Sequence, residues 1–482
     1  LAGLCVPLAF APFDIAALGV AALLLLFGTW HAVEPRCAAW RGWLFGLAMF
    51  GFGTSWVVIS MTRYGGMGWP LSVMLTLLLV AYLALFPALV GYLAQRYFAK
   101  GRHTWQLVVV VPALWVLAEW LRGWLMTGFP WLLLGYTQLS APLAGLAPVV
   151  GVYGISWAVA LSAGLLLLII LRCRTVWWPY AAALILLWAV AWVLGKLSWS
   201  EPGGAALRVS LIQGNVEQSL KWQPEQVMPT LARYMDMSRE HWDSDLIIWP
   251  ETAIPLFYHQ AQALLAGFVA EAGDHQATVF SGAPLLDEIT GRYYNGVVDL
   301  GDAANVYYKQ HLVPFGEYVP LKGLIGSVLG FFQVPMSDFS NGHTGQRPLR
   351  LDGQTIAASI CYEIIFPEEI IRLLPEASLL VNVSNDAWFG DSLAPHQHLQ
   401  MARMRALETG RWVLRATNNG ITALIDEQGR LRAVAPRFQP AVLSGAVSPR
   451  QGATPYVKLG NLPVMVLSGL LLVMAGWRAG RK

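Results

Sequence analysis

Seven runs of apolar residues crowd the first 200 positions of the chain, and an eighth lies close to its end. They fall near Leu1 to Phe10, Ile15 to Trp30, Trp43 to Ser60, Leu71 to Leu93, Leu107 to Leu121, Leu146 to Leu171, Trp178 to Leu194 and Leu462 to Trp477. A helix that crosses a bilayer needs roughly 20 such residues, because backbone polar groups in lipid must be paired within the segment itself. The pattern predicts a membrane helical bundle of about eight transmembrane helices, with the first run short and the fifth interrupted by Pro112. Composition agrees: 56% of the residues are hydrophobic, only 13% are charged, and 22 Trp suit a chain with much surface at the membrane interface. A net charge of +3 gives no footing for a nucleic-acid partner. Leu1 is not an initiator methionine, so a short basic segment can precede it. Ala9-Phe10-Ala11 has the form of a signal-peptide cleavage site, but the spans that follow mark it as coincidence.

Charge divides the chain further. Acidic residues are scarce from Leu1 to about Leu197, whereas the stretch from about Ala206 to Ser448 has the composition of a globular α/β domain. The expected organisation is a bundle over 1–197, a soluble domain over 206–448 and a last transmembrane helix over 459–478. Orientation follows from Lys and Arg in the short loops, which favour the cytoplasmic side. Arg36 and Arg41, Lys100 and Arg102, Arg172 and Arg174, and Arg478, Arg481 and Lys482 fall on one side if all eight spans are real, against Arg63 and Arg122 on the other. The chain is then a multi-pass membrane protein with both termini inside and the soluble domain outside, which in a bacterial cell means the inner membrane with the domain in the periplasm.

Four cysteines occur, and only Cys361 belongs to the soluble part; Cys5, Cys37 and Cys173 lie in or beside apolar runs. No Cys/His ligand spacing appears, and His396 and His398 at i, i+2 cannot share a helix face, so no metal site is expected. Within the soluble part, strands are expected at Leu207–Gln213, Leu246–Trp249, Thr278–Phe280, Tyr293–Leu300, Asn305–Lys309, Thr355–Ile360, Leu379–Val383, Val413–Thr417 and Ile421–Ile425. Helices are expected over Pro224–His241, Gln260–Glu271, from Pro367, and over His396–Arg411. Such alternation implies a layered α/β fold whose ligand groups gather at strand ends. Glu251, Lys309 and Cys361 each close a strand. Singly, these are compatible with a loop carboxylate, a surface charge and a core filler. Together they supply a proton acceptor, an ammonium to stabilise an oxyanion, and a thiol nucleophile, which is mostly un-ionised at neutral pH and needs a base.

Three further features stand out. Leu321 to Val334 is too apolar for an exposed loop and too short to span, and reads either as an arm dipping into the interface or as a segment packed on the sheet. Trp388-Phe389 reads as a wall of a lipid entrance or as core packing. Glu119 and Arg122, at i, i+3 in the fifth span, are expected to pair, or to touch a head group.

Trp249-Pro250-Glu251-Thr252, Lys309-Gln310-His311-Leu312-Val313-Pro314-Phe315-Gly316-Glu317 and Cys361-Tyr362-Glu363 resemble the Glu-Lys-Cys triad of the carbon-nitrogen hydrolase (nitrilase) superfamily. With membrane spans on both sides, and with Phe129-Pro130-Trp131, Gly135-Tyr136-Thr137-Gln138, Trp222 and Val383 to Phe389, the chain is similar along nearly its whole length to the bacterial apolipoprotein N-acyltransferase family. That resemblance implies an αββα sandwich in the soluble part and ping-pong acyl transfer without a cofactor. The donor would be a phospholipid of the phosphatidylethanolamine type, the carrier a Cys361 thioester, and the acceptor the N-terminal amine of a diacylglyceryl apolipoprotein. It implies Glu251 as general base and acid, Lys309 as oxyanion stabiliser, and Glu317, Glu363, Tyr362 and Asn295 in support. Trp131, Trp222, Trp388 and Phe389 would contact substrate, in an enzyme working as a monomer. A membrane-tethered amidase or nitrilase shares the same acyl-enzyme and differs only in passing the acyl group to water. A silent lipid-binding protein would have no need of all three triad groups.

Overall fold

The computed structural model describes residues 1–99, 103–318 and 338–480. The Leu321 to Val334 arm, and Lys100, Arg102, Arg481 and Lys482 among the orienting charges, lie outside the described residues. The chain divides into two compact units, one of Leu1–Val58, Pro70–Trp199 and Thr454–Lys482, the other of Ile59–Trp69 and Ser200–Ala453.

The first unit is helical. By length and apolarity, three of the chain's described helices can cross a membrane: Trp69–Phe98, His103–Arg122 and Pro142–Leu171. A bent pair, Pro35–Gly53 with Trp56–Tyr64, makes a fourth if counted as one span. This falls below the eight expected. The apolar helices Ala17–Trp30, Trp178–Leu194 and Leu462–Arg478 are shorter, and the 14 residues of the first rise only about 21 Å against a hydrocarbon core of about 30 Å. Leu1 to Phe10 holds only the four-residue helix Ala2–Cys5 and the 3₁₀ turn Pro7–Ala9. Small residues let helices touch closely: a Cβ on Gly42 would lie 2.5 Å from the Pro87 carbonyl oxygen, and one on Gly46 would lie 2.6 Å from Ala84 Cα. Glu119 and Arg122 both bind loop backbone. Glu119 accepts from the Leu134 N–H and from Trp115 Nε1, each at 3.0 Å, and Arg122 donates to the carbonyls of Phe129 and Trp131.

The second unit carries two six-stranded sheets. One contains β1 (Leu207–Gln213), β2 (Leu246–Ile248), β3 (Thr278–Asp287), β4 (Arg292–Asp299) and β5 (Val306–Tyr308). The other contains β6 (Leu349–Leu351), β7 (Gln354–Ile360), β8 (Leu379–Ser384), β9 (Val413–Thr417), β10 (Ala423–Ile425) and β11 (Leu431–Val434), and β12 (Ala441–Val447) returns to the first sheet. The strand orders are β12-β1-β2-β3-β4-β5 and β11-β10-β9-β8-β7-β6. In each sheet three central strands run parallel, β1-β2-β3 and β7-β8-β9, and antiparallel strands flank them.

Parallel strands are buried on both faces, and the side chains divide accordingly. Val209, Leu211, Leu246 and Ile248 of the first sheet share one core with Ile356, Ile360, Val381 and Leu414 of the second. Ile212, Ile247, Val279 and Val298 face the other way, among Leu231 and Tyr234 of helix α1 (Pro224–Arg239) and Leu265 and Phe268 of helix α2 (Tyr258–Asp274). Helix α3 (Ala394–Thr409) joins the second sheet, packing on β9. The helix expected from Pro367 is a four-residue turn, Pro367–Ile370, followed by 3₁₀ geometry. The core also does not finish at Ile425. Leu443 and Gly445 of β12 pair with Leu211 and Val209 of β1, closing the sheet with a strand more than 230 residues downstream in sequence.

Candidate active site

Three strand ends of the second unit deliver the three triad groups. β2 runs into Trp249-Pro250-Glu251, β5 is followed at once by Lys309, and β7 by Cys361. The approach is tight: a Cβ on Gly282 of β3 would lie 2.6 Å from Glu251 Cα. Glu251 is buried, and three partners fix its carboxylate. Asn295 Nδ2 donates to Oε1 at 2.9 Å, the Asn385 N–H donates to Oε2 at 2.8 Å, and Lys309 Nζ lies 3.5 Å from Oε1. Lys309, 1% exposed, also lies 2.8 Å from the Glu317 carboxylate. Glu317 is held in turn by Asn295 Nδ2 at 3.0 Å and by the Val313 N–H at 2.8 Å. Burial would lower the Lys309 ammonium, but Glu317, Glu251 and Cys361 together outweigh it and hold its pKa above the ordinary lysine value.

Cys361 opens a 3₁₀ turn, Cys361–Ile365, with φ +50°, a left-handed backbone unusual for a residue with a Cβ. Glu363 fastens this turn. Its carboxylate accepts from the N–H groups of Ile360 (2.7 Å), Gln310 (2.6 Å) and His311 (3.2 Å) and from Tyr307 Oη (3.0 Å), tying the Cys361 turn to the Lys309 segment. Burial pushes the Glu363 carboxyl up to about 7 against the pull of Lys309 and these N–H groups. Burial, with the Glu251 charge, also raises the Cys361 thiol well above its ordinary value, while Lys309 and a hydrogen bond to Ser384 act the other way. The geometry brings together a protonated thiol, an oriented carboxylate to receive its proton, and an ammonium: the equipment for covalent acyl chemistry.

The other expected residues divide. Asn295, Glu317, Glu363 and Tyr362 gather with the triad elements; the Tyr362 ring packs edge-on to Phe366 and His311, at 5.1 and 5.7 Å. Trp222 has Lys221 Nζ over its ring at 6.0 Å. Trp388 meets Tyr64 edge-on at 5.8 Å, and its carbonyl accepts from Ser60 Oγ at 2.8 Å, while Phe389 lies against His398. Trp131 belongs to the helical unit, buried between Phe129 and Trp56. Among the described residues no group of three His, Cys, Asp or Glu side chains is placed to hold a metal.

Two groups escape a reading by local spacing. Lys221 is buried and donates to the Glu251 carbonyl at 3.3 Å, and burial brings its pKa down to about 8 against the pull of Glu251. His398 reaches the Cys361 carbonyl with Nε2 at 3.1 Å. Neither neighbours its partner in sequence; the Lys-Trp pair before α1 is the only local hint of the first.

Residues 2–165 match the apolipoprotein N-acyltransferase N-terminal domain, and residues 208–456 match the carbon-nitrogen hydrolase family. A relative from Methylococcus capsulatus, named apolipoprotein N-acyltransferase, is 49% identical over 469 residues, covering 96% of this chain and 92% of the relative. One of the same name from Azotobacter vinelandii is 45% identical over 490 residues, covering 100% and 94%. Among solved structures, Saccharomyces cerevisiae Nit3, a member of branch 10 of the nitrilase superfamily, aligns with 51% of this chain and 90% of its own at 17% identity and a TM-score of 0.39. Identity sustained along essentially the full length, with both halves matched, shows that the chain belongs to the apolipoprotein N-acyltransferase family and that its second unit is a carbon-nitrogen hydrolase domain.

Proposed function

We propose that this protein transfers an acyl chain from a phospholipid of the phosphatidylethanolamine type to the N-terminal amine of a diacylglyceryl-cysteine apolipoprotein, by way of a thioester on Cys361. The observation that carries the reading is the buried carboxylate–ammonium pair of Glu251 and Lys309 in a chain whose thiol at Cys361 is held protonated. In the first half-reaction Glu251 takes the Sγ proton as sulfur attacks the ester carbonyl. Lys309 stabilises the oxyanion, and losing such a donor costs roughly 3 to 4 kcal/mol in the barrier. The tetrahedral intermediate collapses with cleavage of the carbon–oxygen ester bond, and the departing glycerol oxygen takes the proton back from Glu251, leaving a lysophospholipid and the thioester. In the second half the acceptor amine attacks the thioester carbonyl and gives a proton to Glu251. The carbon–sulfur bond breaks, and the proton returns to sulfur.

In this reading Glu317 and Asn295 hold Lys309 and Glu251 in register, Glu363 shapes the nucleophile turn, and Tyr362 buttresses it. Trp131, Trp222, Trp388 and Phe389 contact the lipids. The three shorter apolar helices and the Leu1 to Phe10 run bring the crossings of the inner membrane to eight, and the loop charges support a catalytic domain in the periplasm, where both lipid-anchored substrates are met without extraction. The enzyme acts as a monomer. Purified protein given phosphatidylethanolamine with a labelled acyl chain and a diacylated Cys-peptide should yield labelled triacylated peptide; labelled free fatty acid in its place means that water is the acceptor and the chain is a hydrolase.

A further inference from the structure

We infer that His398 is a positioning residue for Cys361: its Nε2–H holds the carbonyl of the nucleophile and with it the left-handed backbone from which the thiol is presented. The inference rests on Cys361 being the acyl carrier. A residue with a Cβ at φ +50° has no intrinsic preference for that conformation and keeps it only where neighbours impose it. Glu363 restrains the chain before Cys361 through the Ile360 N–H. After it, the Cys361 carbonyl meets His398 Nε2 at 3.1 Å, from a residue in the first turns of α3.

The ring has little freedom. The Cys361 carbonyl can only accept, so Nε2 carries the hydrogen. Nδ1 faces Arg415 Nη2 at 3.0 Å, which can only donate, and Asp386 Oδ1 at 3.2 Å, which can only accept; a neutral ring accepts from the first and an imidazolium donates to the second, and both keep Nε2–H on the Cys361 carbonyl. Burial and the Arg415 charge outweigh Asp386 and keep the His398 pKa below its ordinary value, which favours the neutral ring. Arg415 is compensated by Asp386 Oδ2 at 2.8 Å and by Asn382, and the Phe389 ring closes one side. Asp386 Oδ1 also accepts from Ser384 Oγ at 2.7 Å, which ties the carboxylate to the end of β8. One buried carboxylate thus ties the end of β8 to the imidazole that holds the nucleophile's carbonyl. His398, Asp386 and Arg415 are all buried, outside the triad, and so lack a place in the acyl-transfer steps.

The test uses full-length protein in detergent and two rates: acyl-enzyme formation from phosphatidylethanolamine, read by intact mass, and alkylation of Cys361 by iodoacetamide. His398→Leu keeps the volume and removes the donor. Both rates should fall, acyl-enzyme formation by about 100-fold as expected for a misplaced reacting atom, while the KM for phosphatidylethanolamine stays unchanged. His398→Gln, whose amide can reach the same carbonyl, should recover both rates to within about 5-fold of wild type. If the Leu variant does not accumulate folded, His398→Met takes its place. A folded donor-less variant that acylates at the wild-type rate overturns the inference, and so does a Gln variant that falls as far as Leu, which would mean that only packing matters. Failure of the wild type itself to form an acyl-enzyme would instead refute the carrier role of Cys361, and the alkylation rates would still test His398.

Discussion

The thiol of Cys361 stays protonated at rest because burial and the Glu251 carboxylate outweigh the opposite influence of Lys309 and Ser384. Its alkylation by iodoacetamide should therefore keep accelerating as pH rises through 9; a rate that levels off near pH 7 would mean a preformed thiolate and no need of a base. Lys221 gives the clearest pH dependence of stability. Its pKa in the folded protein, about 8, lies below the ordinary 10.5, so between those values the unfolded chain binds more protons and stability rises with pH. The buried charge is a cost below pH 8, at most roughly 3 kcal/mol, relieved above it. Lys221→Met should gain more in Tm over wild type at pH 7 than at pH 10; an advantage independent of pH contradicts a buried ammonium. The triad was legible in the sequence because each member sits beside a recognisable strand and within a distinctive string of neighbours. Lys221 and His398 were not, since each acts on a backbone carbonyl at least 30 residues away, which no local pattern encodes. For His398 the i, i+2 spacing with His396 argued against a metal but offered no partner.

Among the elements, those of strong alternation or continuous β-branched character emerge as read: β1 and β9 match their expected bounds residue for residue. The failures have physical causes. The stretch after Pro367 has helical composition but only one turn's length of backbone before 3₁₀ geometry takes over. β12, Ala-Val-Leu-Ser-Gly-Ala-Val, carries small residues and a glycine, and its only reason to be a strand is the free edge of β1. The Ile59–Trp69 segment, read as the end of a span and a loop, belongs to the catalytic unit and supplies Ser60 and Tyr64 to Trp388. The site itself depends on how closely β3 passes beneath Glu251. Because a Cβ on Gly282 would lie 2.6 Å from Glu251 Cα, the Pro250 oxygen and the Thr252 nitrogen, Gly282→Ala must displace the carboxylate. It should lower kcat by at least about tenfold and cost roughly 1–3 kcal/mol of stability; wild-type kcat would show that the carboxylate does not need this placement.

At the scale of the whole molecule, apolar helices and a carbon-nitrogen hydrolase domain occupy one chain, with apolar helices before and after the domain in sequence. Hydropathy overcounted long helices, because an apolar run records composition and not where capping and turns end the helix. The proposed orientation makes a simple prediction. Ile289, 96% exposed in the β3–β4 turn, when changed to Cys in a background lacking Cys5, Cys37 and Cys173, should react with a membrane-impermeant maleimide added to cells with a permeable outer membrane; protection until the inner membrane is lysed would put the domain in the cytoplasm. The central claim is that Cys361 carries an acyl group between two lipids, and intact mass of the purified protein tests it most directly. After incubation with phosphatidylethanolamine the wild type should gain the mass of one acyl chain and lose it when a diacylated Cys-peptide is added, whereas Cys361→Ala should gain nothing; an unmodified wild type, or the same adduct on the alanine variant, would contradict the account.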